Sequence, residues 1–138
     1  MNPIIRNILA VLVGVIVGGL INFGIVNISG SIIPLPEGVD PTDRESLMKA
    51  MPFYGPEQFI FPFLAHAIGT LAGAYTAARL AASHSKQLAY VIGGVFFMGG
   101  IAATIMLPAP VWFSALDLIA AYFPMAWLGY QLVPRKVN

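Results

Sequence analysis

The sequence of 138 residues contains no cysteine and very few charged residues. Only 9% of its residues are Asp, Glu, Lys or Arg, whereas soluble domains average about 25%. Without cysteine the chain has no disulfide, no thiol nucleophile and no cysteine-type zinc site. The seven Lys and Arg residues are dispersed, so the clustered positive charge that binds nucleic acid is missing as well. We therefore expect no nucleic-acid partner and no soluble globular domain.

Apolar residues make up 58% of the chain, and the mean hydropathy is +0.81. Four apolar runs are each long enough to cross a bilayer, which takes about 20 helical residues. They are residues 8–28, 59–78, 88–107 and 113–133. Their lack of alternating polarity excludes barrel strands, and helices satisfy their own backbone groups in lipid. The sequence therefore predicts an all-α, four-transmembrane-helix bundle in a single domain, residues 1–138, with the lipid bilayer as its surroundings.

The distribution of charge predicts the orientation of the four spans. The two termini and the connection after the second run carry only positive charges: Arg6, Arg79, Lys86, Arg135 and Lys136. The connection between the first two runs carries five acids and only two basic residues. The positive-inside rule then places both termini in the cytoplasm and residues 34–57 outside, as an external loop.

The external loop contains the pattern of a short helix. Asp40 is followed by Pro41, which is typical of an N-cap with proline at the first helical position. Leu47, Met48 and Met51 would share one face, which indicates a helix lying in the membrane interface. Three interpretations stay open: a tethered loop, a lid over an outward-opening cavity, and a docking helix for a partner.

Small residues recur at helical spacing in every span, for example Gly14 and Gly18 in the first and Gly69 and Gly73 in the second. Such stripes let helix backbones approach closely in lipid. We therefore expect a compact bundle instead of four separate anchors. The same stripes would serve a homo-oligomer or a larger membrane complex, and the sequence does not distinguish these arrangements.

Polar residues within the spans are the candidates for function, since charge in a bilayer is costly. Six of them lie at compatible depths or on compatible faces: Asn22, His66, Thr70, Thr104, Ser114 and Asp117. In the fourth span Pro124 removes a helical hydrogen bond, which predicts a kink and a free carbonyl at Ala120. Either the six residues form an interhelical packing cluster, or they form a site for a proton, an ion or a small polar ligand.

Neither a metal nor a cofactor is indicated by these residues. One histidine and one aspartate are too few ligands for zinc. The chain has no nucleophile elbow, no zinc-protease motif and no phosphate-binding loop, so no catalytic residue is assigned.

Several short segments resemble a group of small four-span bacterial integral membrane proteins. They are residues 34–40 (PLPEGVD), Gly69 and Gly73 before Ala78-Arg79, residues 108–113 (PAPVWF), and Pro124 before residues 126–129 (AWLG). The resemblance covers most of the chain and implies a bacterial inner membrane, but it carries over no activity.

Three functions are consistent with this sequence. The first is an accessory, structural or envelope-sensing component of the inner membrane. The second is a small oligomeric channel or transporter that uses His66 and Asp117 to handle protons or a small solute. The third is a membrane enzyme that acts on a lipid.

Overall fold

The computed structural model describes residues 1–135, and every regular element within them is helical. The helices are α1 (Pro3–Ile32), α2 (Arg44–Ala50), α3 (Ile60–Leu80), α4 (Ser85–Met106), α5 (Val111–Ala120) and α6 (Phe123–Gln131). Short 3₁₀ turns cover Met51–Phe53 and Pro56–Phe59. Four helical stretches are long and apolar enough to cross a membrane: Pro3–Ile32, Pro56–Leu80, Ser85–Met106 and Val111–Gln131. The predicted all-α four-helix bundle is confirmed.

The start of α1 and the α3–α4 connection lie at the same end of the bundle. The Asn7 side chain accepts a hydrogen bond from the backbone N–H of Ala82 at 2.9 Å, and Arg6 Nε donates to the carbonyl of Leu80 at 2.8 Å. We call this the terminal end. The opposite end, which carries residues 33–59 and the turn 107–110, is called the loop end. Lys136, one of the charges used to predict orientation, lies outside the described residues.

The closest helix contact joins the backbones of α1 and α3. A Cβ atom on Gly14 would lie 2.7 Å from the carbonyl oxygen of Gly73, and one on Gly18 would lie 2.5 Å from that of Gly69. The reverse substitutions meet the same obstacle, because a Cβ on Gly69 would lie 2.8 Å from the Gly18 oxygen. Only glycine permits this approach, in which dispersion and Cα–H···O contacts hold two helices together in lipid.

Helix α3 is the centre of the bundle, because α1, α4 and α6 all pack against it. Gly129 of α6 lies against the backbone of Leu71 and Tyr75, and Gly93 of α4 lies against Ala126 of α6. These contacts fill the half of the bundle nearest the terminal end with buried apolar side chains, five alanines and one isoleucine: Ala74, Ala77, Ala78, Ala89, Ile92 and Ala126. That half is therefore closely packed.

The loop-end segment contains the expected short helix, but the predicted N-cap is wrong. Helix α2 begins at Arg44, and its N-cap is Asp43, whose carboxylate accepts from the N–H groups of Glu45 and Ser46. Asp40 instead accepts from both the N–H and the hydroxyl of Thr42, at 2.8 and 2.7 Å. This local Asx turn competes with helix initiation and delays it by one turn.

Within residues 1–135, a single long-range hydrogen bond ties α2 to the bundle. The Nε of Arg44 donates to the carbonyl oxygen of Met106 at 2.8 Å. Met106 is the last residue of α4, and the final carbonyls of a helix have no partner within it. The bond therefore satisfies an orphan acceptor and holds the loop-end segment against the bundle.

The fourth span is broken into α5 and α6 at Ala121 and Tyr122. Pro124 stands in the first turn of α6, where its missing N–H costs nothing. Tyr122 is the N-cap residue, with the non-helical dihedral angles φ −115° and ψ −80°. The break follows from Pro124, as the sequence predicts, and it turns the Tyr122 side chain towards the interior, where it is 1% exposed.

The glycine contact predicts a stability difference between two neighbouring substitutions. Gly18→Ala should lower the free energy of unfolding by about 1–3 kcal/mol, because its Cβ meets the backbone of α3. Gly19→Ala is the matched control, since nothing lies within 4 Å of its Cβ position. Thermal unfolding in detergent compares the two, and equal stability of both variants would contradict the contact.

Candidate functional site

His66 of α3 and Asp117 of α5 form an ion-pair-type contact inside the bundle. The Nδ1 of His66 lies 2.9 Å from each carboxylate oxygen of Asp117. The Asp117 side chain is 4% exposed, and that of His66 is 23% exposed. With its proton on Nδ1 the imidazole donates to the carboxylate, and Nε2 is left without a hydrogen bond to the described chain.

Tyr122 completes a cluster of three polar side chains. Its hydroxyl donates to Oδ2 of Asp117 at 3.0 Å, and its ring stacks on that of His66 with 5.8 Å between centroids. Gly100 of α4 makes room for the phenol, since any Cβ there would clash with the Tyr122 hydroxyl. We call His66, Asp117 and Tyr122 the polar triad.

Tyr122 is not among the six site residues predicted from the sequence. A tyrosine five residues after Asp117 falls on a different face of a continuous helix, so only the break brings the two together. The usable signal was the position of Tyr122 two residues before Pro124, the proline that predicts the break.

The other four predicted site residues form no hydrogen bond with the polar triad within the described chain. Thr70 is fully buried, and its hydroxyl has no partner in the described chain. Thr104 donates to the carbonyl of Gly100 in its own helix, and Asn22 packs against Gly69. Ser114 lines the same cavity as Asp117. Two of the six candidates, His66 and Asp117, therefore bond to each other directly.

The triad lies at the base of a large cavity that occupies the loop-end half of the bundle. The cavity has a volume of about 840 Å³ and is lined by α1, α3, α4, α5 and the segment between α1 and α3. Among its lining residues, His66, Gly100 and Asp117 lie farthest from the loop end on their respective helices. We call this space the loop-end cavity.

The lining of the loop-end cavity offers hydrogen-bond acceptors and little positive charge. Glu57 and Asp117 both contribute to it, whereas no Lys or Arg does so within residues 1–135. Gln58 Oε1 and the Tyr54 hydroxyl also belong to lining residues, and both atoms are buried without a partner. Burial raises the pKa of Tyr54, so its hydroxyl stays neutral.

Aromatic rings form one wall of the loop-end cavity. The Phe59 ring lies 5.9 Å from that of Tyr54 and 4.6 Å from that of Phe113, measured between centroids. Thr42 also lines the cavity, and its hydrogen bonds hold the pKa of Asp40 below the ordinary value, which keeps that carboxylate ionised at neutral pH. Negative charge and π-faces together favour a cation over an anion.

The described residues hold no group of three or more His, Cys, Asp or Glu side chains arranged to bind a metal ion. The chemistry that the triad itself offers is hydrogen bonding and proton transfer through the free Nε2 of His66. Ser114 lies in the cavity wall, but its hydroxyl makes no hydrogen bond to His66 and so forms no activated nucleophile.

Comparison of the chain with protein-family models, with curated proteins and with solved structures gives no match. The proposed function therefore rests on the geometry of the cavity.

The polar triad predicts strong coupling between His66 and Asp117 in stability measurements. His66→Leu and Asp117→Leu should each destabilise by about 1–3 kcal/mol, because each leaves the other polar group buried without its partner. The double variant should cost clearly less than the sum of the two. A double-mutant cycle by thermal unfolding in detergent measures this, with His66→Leu and Ser114→Ala as the control pair. Additive losses for His66 and Asp117 would contradict the direct contact.

Proposed function

We propose that this multi-pass membrane protein binds a small amphiphile carrying an amine or ammonium group, as an envelope-sensing component of a bacterial inner membrane. The observation that carries the proposal is the loop-end cavity, which combines apolar and aromatic walls with the acidic side chains Glu57 and Asp117 and has no Lys or Arg among its described lining residues. His66 and Asp117 of the polar triad line its base.

The size of the cavity supports a small-molecule ligand. Ligand sites typically occupy about 300–1,000 Å³ and are mainly apolar with a few polar groups. The loop-end cavity, at about 840 Å³, falls within that range. Its apolar lining suits a hydrocarbon or aromatic body, and its few polar groups suit one polar head.

The charge of the lining supports a cationic or hydrogen-bond-donating head. A carboxylate or phosphate would meet Glu57 and Asp117 and find no Lys or Arg among the described lining residues. An ammonium group would instead be attracted by Glu57 and by the faces of Tyr54 and Phe59.

The orientation is part of the proposal. The excess of Lys and Arg at the terminal end supports a cytoplasmic location for that end. The loop-end cavity would then open to the outer side, where an envelope component meets external amphiphiles. The resemblance to four-span bacterial membrane proteins supports the inner membrane.

A channel through one chain is less well supported by the packing. The half of the bundle nearest the terminal end is filled by buried apolar residues such as Ala74, Ala77 and Ile92. Conduction would require a second conformation that opens this half. Binding requires only the conformation described.

A membrane enzyme is the second candidate, and one observation favours it. Asp117 holds His66 by Nδ1 and leaves Nε2 free at the cavity base, which is how a general base is oriented. The enzyme hypothesis predicts that His66→Gln abolishes turnover of a bound lipid while the lipid still binds. Loss of binding together with turnover would assign His66 to the ligand site only.

Three probes of one shape test the proposed ligand class. Naphthylmethylammonium, naphthylmethanol and naphthoate differ mainly in the charge of the head group. We expect the purified protein, in uncharged maltoside micelles at neutral pH, to bind them in the order cation, alcohol, anion. Equilibrium dialysis measures the three affinities.

Two glutamate variants extend this test: one changes the cavity glutamate, and the other is its matched control. Glu57→Gln should weaken binding of the cation about threefold to tenfold, equivalent to about 0.7–1.4 kcal/mol, and leave the alcohol unchanged. Glu45→Gln should leave both unchanged, since Glu45 pairs with Lys49 on an exposed helix face. Tightest binding of naphthoate, or equal effects of the two variants, would refute the proposal.

A further inference from the structure

A second space, a narrow cleft of about 350 Å³, lies between α1 and α4. Its walls include Gly19 and Asn22 from α1 and Val95 and Gly99 from α4. His66 and Gly100 line both this cleft and the loop-end cavity. The two spaces therefore lie next to each other, on either side of His66 and Gly100 and beside the polar triad.

The cleft exists because α1 and α4 touch only nearer the terminal end. There, the Ile92 side chain packs against Gly14, and the Phe96 ring packs against Gly18. Nothing lies within 4 Å of a Cβ built on Gly19, the next residue along α1, or on Gly99, about one turn after Phe96 in α4. Because glycine stands at both positions, no side chain fills the gap between the two helices.

The cleft opens sideways, towards the hydrocarbon that surrounds the helices. Gly19 and Gly99 lie well inside two helices that are long and apolar enough to span a membrane. The neighbouring side chains lie on the outer surface of the bundle: Val95 is 45% exposed and Met98 is 64% exposed. An opening at this height, between two lipid-facing helices, faces acyl chains and not water.

We infer that the ligand is a long-chain amphiphilic amine, whose head occupies the loop-end cavity while its hydrocarbon chain leaves through the cleft between α1 and α4 into the bilayer. This inference rests on the proposed function and adds the class of ligand and its route. The charged head suits the acidic cavity, and the chain suits a cleft lined mainly by glycine, valine and phenylalanine, with Asn22, His66 and Tyr122 as its polar members. His66 and Gly100, which line both spaces, would lie beside the hydrocarbon chain where it passes from the cavity into the cleft.

The position of the chain is tested by photolabelling. The probe is a primary amine on a twelve-carbon chain with a diazirine at the far end, bound to the purified protein in uncharged maltoside micelles. We expect mass spectrometry to find the label on the stretches of α1 and α4 around Gly19, Val95 and Gly99. Label confined to the loop-end residues 33–59 would overturn the inference.

Filling the cleft tests whether it is required. Gly19→Leu combined with Gly99→Leu should reduce binding of the long-chain amine at least tenfold, and binding of short naphthylmethylammonium less than twofold. Gly94→Leu is the matched control, because its Cβ position is equally open but lies outside the cleft. Thermal unfolding verifies that all variants remain folded.

The outcomes separate the two proposals. If the short amine binds and the blocked cleft leaves long-chain binding unchanged, the route through the cleft is wrong and the proposed function stands. If neither amine binds to the unaltered protein, the proposed function itself fails, and the inference fails with it.

Discussion

The backbone contact between α1 and α3 determines where this bundle is closed and where it is open. Gly14 and Gly18 meet Gly73 and Gly69 at distances that no Cβ atom would allow. In lipid, where burial of apolar surface does not drive helix association, such an approach is a main source of helix–helix attraction. From this contact towards the terminal end, small alanines continue the close packing. Towards the loop end Asn22 takes the next position of this stripe, and the loop-end cavity begins beyond it.

The polar triad lies at the boundary between these two halves. Asp117 is almost fully buried, and a buried carboxylate is costly unless it is paired and hydrogen-bonded. His66 and Tyr122 supply that pairing from α3 and from the break between α5 and α6. The break is therefore more than a local effect of Pro124, because it delivers the phenol that a continuous helix would direct elsewhere. A carboxylate with partners from two different helical elements is held in a defined position, as a binding or sensing site requires.

Much of this architecture was predictable from residue patterns. Hydropathy predicts the all-α four-span bundle, and the rarity of charge within the spans singles out His66 and Asp117. Their contact was not derivable, because depth along each helix is known from sequence but rotation about the axis is not. Tyr122 was missed for the same reason, since its direction depends on the dihedral angles at the break. The N-cap is Asp43 and not Asp40 because the Asp40 side chain accepts hydrogen bonds from Thr42 in a local turn. N-cap propensities of single residues do not include this turn.

The proposed binding site requires an open cavity that leads from the loop end to the polar triad. Because the sequence contains no cysteine, the accessibility of this cavity can be measured directly with a single introduced thiol. Ser114→Cys places a single thiol on the cavity wall, one turn from Asp117. The account predicts that a water-soluble maleimide modifies this thiol in the folded protein and that naphthylmethylammonium slows the reaction. Ser83→Cys, on the exposed connection at the terminal end, serves as the reference for full reactivity. A Ser114→Cys thiol that stays unmodified while the Ser83→Cys thiol reacts completely would contradict the account.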